Sequence, residues 1–347
     1  MKRKREKEIS MRTRLGIIGT GRIANRFAAN GRQDLAVCLT AVYNPNLTSA
    51  KKYASEYHLP LGTDDWDAFL EQIDAAYVAS PTATHGAYVR RLLERGKHVL
   101  CEKPMVLSKK EAEELFGLAK KQGLVLMEAI KTAYCPGFEA LLEAVKEGRI
   151  GEIRDVEACF TKLVDPNLRE LSDRNFGGSM TELGTYGCFA VLKLLGCDWK
   201  DIRFVAQRNE QGVDLFTKVF FEYEEPEESR CNIDRKTGRK RDSVRTALVK
   251  AGLGVKSEGE LIISGTKGYL LAEAPWWLAR SFEIRYEDST KRERYEYPYA
   301  GNGLQYELGY FLDRVQRYPT KERVSIQESI ALAGIMEQFL QEEAGYR

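Results

Sequence analysis

The feature that most restricts this chain is a series of short, almost continuously apolar stretches at residues 15–18, 35–43, 75–79, 97–101 and 124–127, separated by segments with helical spacing. Strands that lack polar alternation need cover on both faces. Crossover helices laid on either side of a parallel sheet supply it. One such helix is marked by Ala112, Leu115, Phe116 and Ala119 behind Ser108 and Glu111, an S-x-x-E pair that predicts a capping box. The pattern predicts a doubly wound α/β domain of Rossmann type over residues 14–130.

A length of 347 residues favours two domains, and after about Ile130 the pattern changes. Residues 138–147 read as a helix and 153–163 as a strand, and Gly177-Gly178 makes a corner that opens another helix. Phe282, Ile284 and Tyr286 alternate with Glu283, Arg285 and Glu287, which predicts a strand with one wet face; Tyr295 and Tyr297 continue it as a hairpin. Two helices close the chain, one with the stripe Leu304, Leu308, Phe311 and Val315, the other capped by Ser325 and Glu328. We expect a basic tail at 1–13 and an α+β domain with an open, mainly antiparallel sheet over 131–347.

Composition excludes some roles. With 43% hydrophobic and 30% charged residues the chain is globular, and a net charge of +2 gives no field for nucleic acid or a membrane surface. No stretch is apolar enough to span a bilayer. Seven scattered cysteines and three distant histidines predict neither a disulfide framework nor a metal site; most of the cysteines read as buried thiols, in a reducing, cytoplasmic setting. Lys2, Arg3, Lys4, Arg5 and Lys7, interrupted by Glu6 and Glu8, form a frayed end or a polyanion-binding arm, without the apolar stretch of a secretory signal; Met11 is a second candidate start. Arg235, Lys236, Arg239, Lys240, Arg241 and Arg245, among Asp234 and Asp242, read as a solvated loop or as a phosphate-binding cluster.

The chemistry concentrates at the ends of the expected strands. Gly19-Thr20-Gly21-Arg22-Ile23-Ala24 follows the first strand and enters a helix. Gly19 permits the tight turn, Gly21 lets a pyrophosphate approach the backbone, and Ala24 keeps the helix close to the sheet. The second strand ends at Asn44-Pro45-Asn46, where an acid would favour NAD and an arginine NADP. Asn44 is neither, so NAD and NADP both stay open, the missing arginine leaning toward NAD; Asn44 also serves as a turn-former before Pro45. Ser80, Pro81, Thr82 and His85 follow the strand at 75–79, and Glu102-Lys103-Pro104 follows the strand at 97–101. Ligands of open α/β sheets bind at such carboxyl ends.

Together the glycine turn, the Pro81/His85 segment, Gly96-Lys97-His98-Val99-Leu100-Cys101-Glu102-Lys103-Pro104 and Glu128-Ala129 resemble the glucose-fructose oxidoreductase / inositol dehydrogenase / rhizopine-catabolism (Gfo/Idh/MocA) family, from Arg14 onward. The resemblance implies that Lys103 is catalytic, that Gly19–Ile23, Asn44, Ser80, Pro81, Thr82, His85, Glu102 and Lys103 surround the dinucleotide, and that the C-terminal sheets pair into homodimers or homotetramers. Its second half-site is a helix bearing an acid and, one turn later, His or Tyr. Glu182 and Tyr186 stand there, four apart and on one helix face. Tyr186 matches two branches of the family. Glu182 departs from the usual Asp, and Ser179-x-x-Glu182 also reads as a capping box. Ala133 occupies a place where relatives often carry arginine, with Lys131 nearby, and Trp276 and Trp277 read either as sugar-stacking or as packing residues.

The function so implied is NAD(P)-dependent hydride transfer to or from a carbohydrate-like alcohol or ketone: a sugar, cyclic polyol or nucleotide sugar. The alternative is a non-catalytic regulatory protein that binds dinucleotide or sugar, against which Lys103 and Tyr186 argue. A hydrolase would need a G-x-S-x-G elbow or a metal cluster, and the sequence has neither.

Overall fold

Leu15, Ile17 and Ile18 are at most 1% exposed, and their burial on both faces makes β1 (Thr13–Ile18) the centre of a sheet. The computed structural model describes residues 13–31, 37–224, 244–299, 301–318 and 320–345. The basic tail with Met11, Leu35 and Ala36, Cys231 and the basic cluster up to Arg241 lie outside the described residues. The chain divides into two compact units, Met1–Tyr134 with Ala300–Glu337 and Cys135–Tyr299 with Gln338–Arg347.

In the first unit, β1 is followed by α1 (Arg22–Gly31), β2 (Val37–Tyr43), α2 (Leu47–Glu56), β3 (Leu61–Thr63), α3 (Trp66–Glu71), β4 (Ala75–Val78), α4 (His85–Glu94), β5 (His98–Glu102), α5 (Lys109–Gln122) and β6 (Leu126–Ala129). The six strands form a parallel sheet in the order β3-β2-β1-β4-β5-β6. Every residue of β4 is buried, the state that its uninterrupted Ala-Ala-Tyr-Val run requires under helices on both faces. Phe27 of α1 stacks on Tyr77 of β4 at 3.9 Å. Only β3 was not visible as an apolar stretch, because three residues carry too little pattern.

Ser108 stands at the start of α5, but the expected capping box does not form. Its hydroxyl donates to Glu337 Oε1 at 3.0 Å, and no side-chain cap closes on α5. Glu111 is turned the other way, its Oε1 occupying the space that a Cβ on Gly86 would need.

The second unit carries α6 (Pro136–Lys146), β7 (Ile153–Thr161), α7 (Thr185–Leu195), β8 (Asp201–Arg208), β9 (Asp214–Glu224), β10 (Val244–Gly252), β11 (Leu261–Gly265), β12 (Gly268–Ala272), β13 (Ser281–Tyr286) and β14 (Arg292–Glu296). Its eight strands run β14-β13-β12-β11-β7-β10-β9-β8. All neighbours are antiparallel except β7 and β10, so the sheet is the mainly antiparallel one expected. The β13–β14 hairpin is present, but its wet face is not simply wet. Glu283 is 6% exposed, covered by Arg285 at 2.8 Å and by Arg294, its cross-strand neighbour, at 3.0 Å. An acid in a strand can thus be buried when two guanidinium groups satisfy it.

The closing helices are α8 (Leu304–Val315) and α9 (Ile326–Gly345). Ser325 and Glu328 do form a reciprocal capping box at the start of α9. Sequence order would put both helices in the second domain, yet they group with the first unit as far as Glu337. The reason lies in their partners: Tyr310 packs against Tyr134 at 5.0 Å, Glu337 holds Ser108, and Gln316 reaches Thr13. Among the described residues no helix is long and apolar enough to cross a membrane.

Candidate active site

The glycine turn is built as its spacing implies. Gly19 has φ +101°, and an added Cβ would lie 2.6 Å from the carbonyl oxygen of Ala79. At Gly21 an added Cβ would meet nothing within 4 Å. The space above that backbone is therefore open, directly before the first N–H groups of α1. Asn25 fixes the turn by donating its side-chain amide to the Gly21 carbonyl at 2.9 Å, and Ala24 is fully buried. An open glycine at a helix N-terminus is a cradle for a pyrophosphate, so these residues fit a dinucleotide.

Asn44 stands beside this turn and donates to Thr20 Oγ1 at 2.9 Å, while its Oδ1 accepts from Asn46 N–H at 2.8 Å. Both of its local roles are thus taken by the turn itself. Ser80 and Thr84 share a 2.8 Å hydroxyl contact on the next loop. The first unit brings Gly19–Ile23, Asn44 and Ser80–Thr82 to one carboxyl edge of the sheet, through the Gly19 N–H bond to Tyr43 O and the close approach of Gly19 to Ala79 and Ser80.

His85 and Glu102 face inward. The His85 ring is 2% exposed, with Nδ1 2.9 Å from Pro104 O and Nε2 2.9 Å from Ser80 O, so it ties the loop after β4 to the loop after β5. Glu102 is buried, accepts the Tyr77 hydroxyl and accepts the Lys103 N–H at 3.3 Å. It braces the backbone that presents Lys103, whose side chain is half-buried.

The first unit also buries Glu128, which belongs to the Glu128-Ala129 motif, and Glu307, which no motif announced. Glu128 Oε1 accepts Met105 N–H at 2.9 Å. Glu307, on α8, is fully buried and neither of its carboxyl oxygens has a hydrogen-bond partner. Burial, reinforced by the charge of Glu102 and opposed by Lys131, holds the Glu307 carboxyl well above the usual carboxylate range. Burial raises Glu102 and Glu128 as well. The one available signal was position, since Glu307 falls within the apolar stripe of Leu304, Leu308 and Phe311.

A carboxyl with a folded pKa above its unfolded value, about 4.3, binds more protons folded than unfolded. Its contribution is therefore most favourable in acid and is lost as pH climbs from the unfolded toward the folded pKa. Glu307→Met should raise thermal stability at pH 8 by roughly 1–3 kcal/mol, the usual cost of an unsatisfied buried polar group, and raise it less at pH 5. Melting curves at the two pH values check this; a lower melting temperature at pH 8 would show that the carboxyl is stabilising.

In the second unit, Gly177-Gly178 opens a π-helical turn, Met180–Gly184, that runs into α7. The capping box anticipated at Ser179 and Glu182 is absent, because Ser179 is itself helical (φ −67°, ψ −35°) and its hydroxyl donates to Asp214 Oδ2 at 2.6 Å. Glu182 and Tyr186 are both half-buried, one in the π-turn and one just beyond it. Tyr186 lies 5.3 Å from the Phe160 ring, which stacks on Trp277 at 3.5 Å. Trp276 is a core residue, 1% exposed and bonded through its indole N–H to Cys159 O. Ala133 is buried in a 3₁₀ turn, Lys131–Tyr134.

A glycine turn at the switch point of a parallel sheet, opening on a helix N-terminus, defines a dinucleotide-binding Rossmann domain. Residues 13–130 match the family described as "Oxidoreductase family, NAD-binding Rossmann fold". The chain is 32% identical over 225 residues to scyllo-inositol 2-dehydrogenase (NADP(+)) of Bacillus subtilis, covering 61% of this chain and 66% of that enzyme. It is 27% identical over 343 residues to trans-1,2-dihydrobenzene-1,2-diol dehydrogenase of Sus scrofa, covering 94% and 96%. The fold is shared with a 3-ketoreductase from Actinomadura kijaniata solved with NADP and TDP-benzene, at a TM-score of 0.75 and 24% identity over 94% of this chain and 96% of that one. Over its dinucleotide-binding domain, residues 13–130, the chain belongs to the Gfo/Idh/MocA oxidoreductase family.

Proposed function

We propose that this chain interconverts an alcohol and a ketone on a carbohydrate-like substrate such as a sugar, cyclic polyol or nucleotide sugar. The observation that carries the reading is Lys103 presented by a braced backbone at the carboxyl edge of a dinucleotide sheet. The names of the inositol and dihydrodiol dehydrogenases to which the chain is similar support the substrate class. Gly19–Ile23 with the N-terminus of α1 hold the pyrophosphate, and Asn44 and Ser80–Thr82 border the rest of the cofactor. When bound, the nicotinamide accepts or donates the hydride. Lys103 polarises the substrate oxygen. Tyr186 takes the hydroxyl proton in oxidation and returns it in reduction. Glu182, in the turn before Tyr186, supports the proton transfer. The open eight-stranded sheet supports pairing with a second copy, and the composition supports a cytoplasmic setting.

Turnover of sugars, inositols and nucleotide sugars, followed by nicotinamide absorbance, tests the function. The neutral Asn44 corner admits both NAD and NADP. Asn44→Asp should therefore weaken NADP relative to NAD by roughly tenfold or more, about 1.4 kcal/mol of repulsion against a 2′-phosphate. Calorimetric titration of both cofactors measures it, and an unchanged ratio would place the ribose elsewhere.

A further inference from the structure

We infer that Asp214 is a positioning residue for Tyr186, acting through the π-turn Met180–Gly184; the inference rests on the reading of Tyr186 as the proton-transfer group. Asp214 is the first residue of β9 and is 5% exposed. One of its oxygens, Oδ2, accepts the Ser179 hydroxyl at 2.6 Å, the Thr217 hydroxyl at 2.7 Å and the Met180 N–H at 2.8 Å. The other, Oδ1, lies 1.8 Å from where a Cβ on Gly178 would stand, and Gly178 has φ +90°. No side chain fits at position 178, so the carboxylate is seated against the backbone where the turn begins.

A helix starts with N–H groups that have no intrahelical acceptor. Here the acceptor comes from the sheet, 34 residues away in sequence at Met180. At the far end of the turn, Thr185 is fully buried and its hydroxyl has no hydrogen-bond partner. Asp214 thus anchors the turn at its start. A π-turn holds one residue more than an α-turn, so its conversion to α-helix would rotate the side chains beyond it by about 100° relative to those before it. Tyr186 is the second residue beyond the turn. Asp214 thereby sets the direction of the phenol and its contact with Phe160.

Asp214→Asn keeps the size but removes the charge, and an N–H₂ group at the Oδ2 position would face the Met180 N–H, which can only donate. We expect kcat to fall roughly 10–100-fold, the scale of a misplaced catalytic group, with cofactor affinity and KM nearly unchanged. In a Tyr186→Phe background the same change should have no further effect on kcat, because it acts through the phenol; a general loss of packing would add its penalty in both backgrounds. If Asp214→Asn does not fold, Ser179→Ala and Thr217→Val each remove one bond to the carboxylate and should each lower kcat several-fold, again only when Tyr186 is present. A slow Tyr186→Phe enzyme together with unchanged kcat in the folded Asp214→Asn protein, or in both hydroxyl variants, overturns this inference alone. An unchanged kcat in Tyr186→Phe itself overturns the proton-transfer reading and this inference with it.

Discussion

Lys103→Ala and Tyr186→Phe are each expected to lower turnover by roughly 10²–10⁴-fold, the scale of a general acid–base group. Cofactor affinity should change far less, since the pyrophosphate cradle is formed by Gly19–Ile23 and α1. On the proposed reading both side chains serve one proton transfer, so the double variant should be little slower than the poorer single one. Glu102 adds a constraint: because it braces the Lys103 backbone, Lys103→Ala removes the ammonium without removing the support of the loop, and the variant should fold. Steady-state rates on a responsive substrate decide the matter. Near-wild-type rates in both single variants would remove these residues from the chemistry. Cofactor binding without turnover across a broad polyol and sugar panel would favour a regulatory protein.

The second large effect concerns the cradle, where two glycines two residues apart should respond in opposite ways. Gly21→Val places a branched side chain in space that holds no protein atom within 4 Å. It should leave the melting temperature almost unchanged and weaken dinucleotide binding by roughly 100-fold, about 2.7 kcal/mol. Gly19→Val instead meets the Ala79 carbonyl and a positive φ, so it should destabilise the fold itself. Calorimetric binding and thermal melts on both variants separate the outcomes. Equal cofactor affinity in wild type and Gly21→Val would show that the pyrophosphate does not pass over this turn.

Much of this molecule was legible in one dimension because the physics that shaped it is local. Five of the six strands of the parallel sheet announced themselves as apolar stretches, since strands covered on both faces cannot alternate. The glycine turn was readable because close approach of a phosphate and a φ of +101° both demand the absence of a Cβ. Glu182 and Tyr186 were expected on one face from α-helical spacing, but Glu182 lies in the π-turn Met180–Gly184.

What sequence could not supply was long-range pairing. Three capping boxes fit the S-x-x-E spacing equally well, yet only Ser325/Glu328 closes on itself. Ser108 gives its hydroxyl to Glu337, and Ser179 gives its hydroxyl to Asp214. A carboxylate from a distant element can replace a local cap, and no spacing rule reveals it. The inward turn of His85 and Glu102 has the same origin. Each finds backbone or hydroxyl partners on neighbouring loops and strands, so both also brace the sheet edge.

The sequence by itself determined the parallel sheet, the antiparallel character of the second sheet and the glycine turn, because periodicity and the missing Cβ are properties of neighbouring residues. The tertiary structure alone decided that α8 and most of α9 join the first unit, that Glu307 is buried unpaired near Lys131, and that Asp214 seats the turn before Tyr186. Each of these depends on which distant groups share a low-dielectric interior, where a partner gained or missing outweighs local preference.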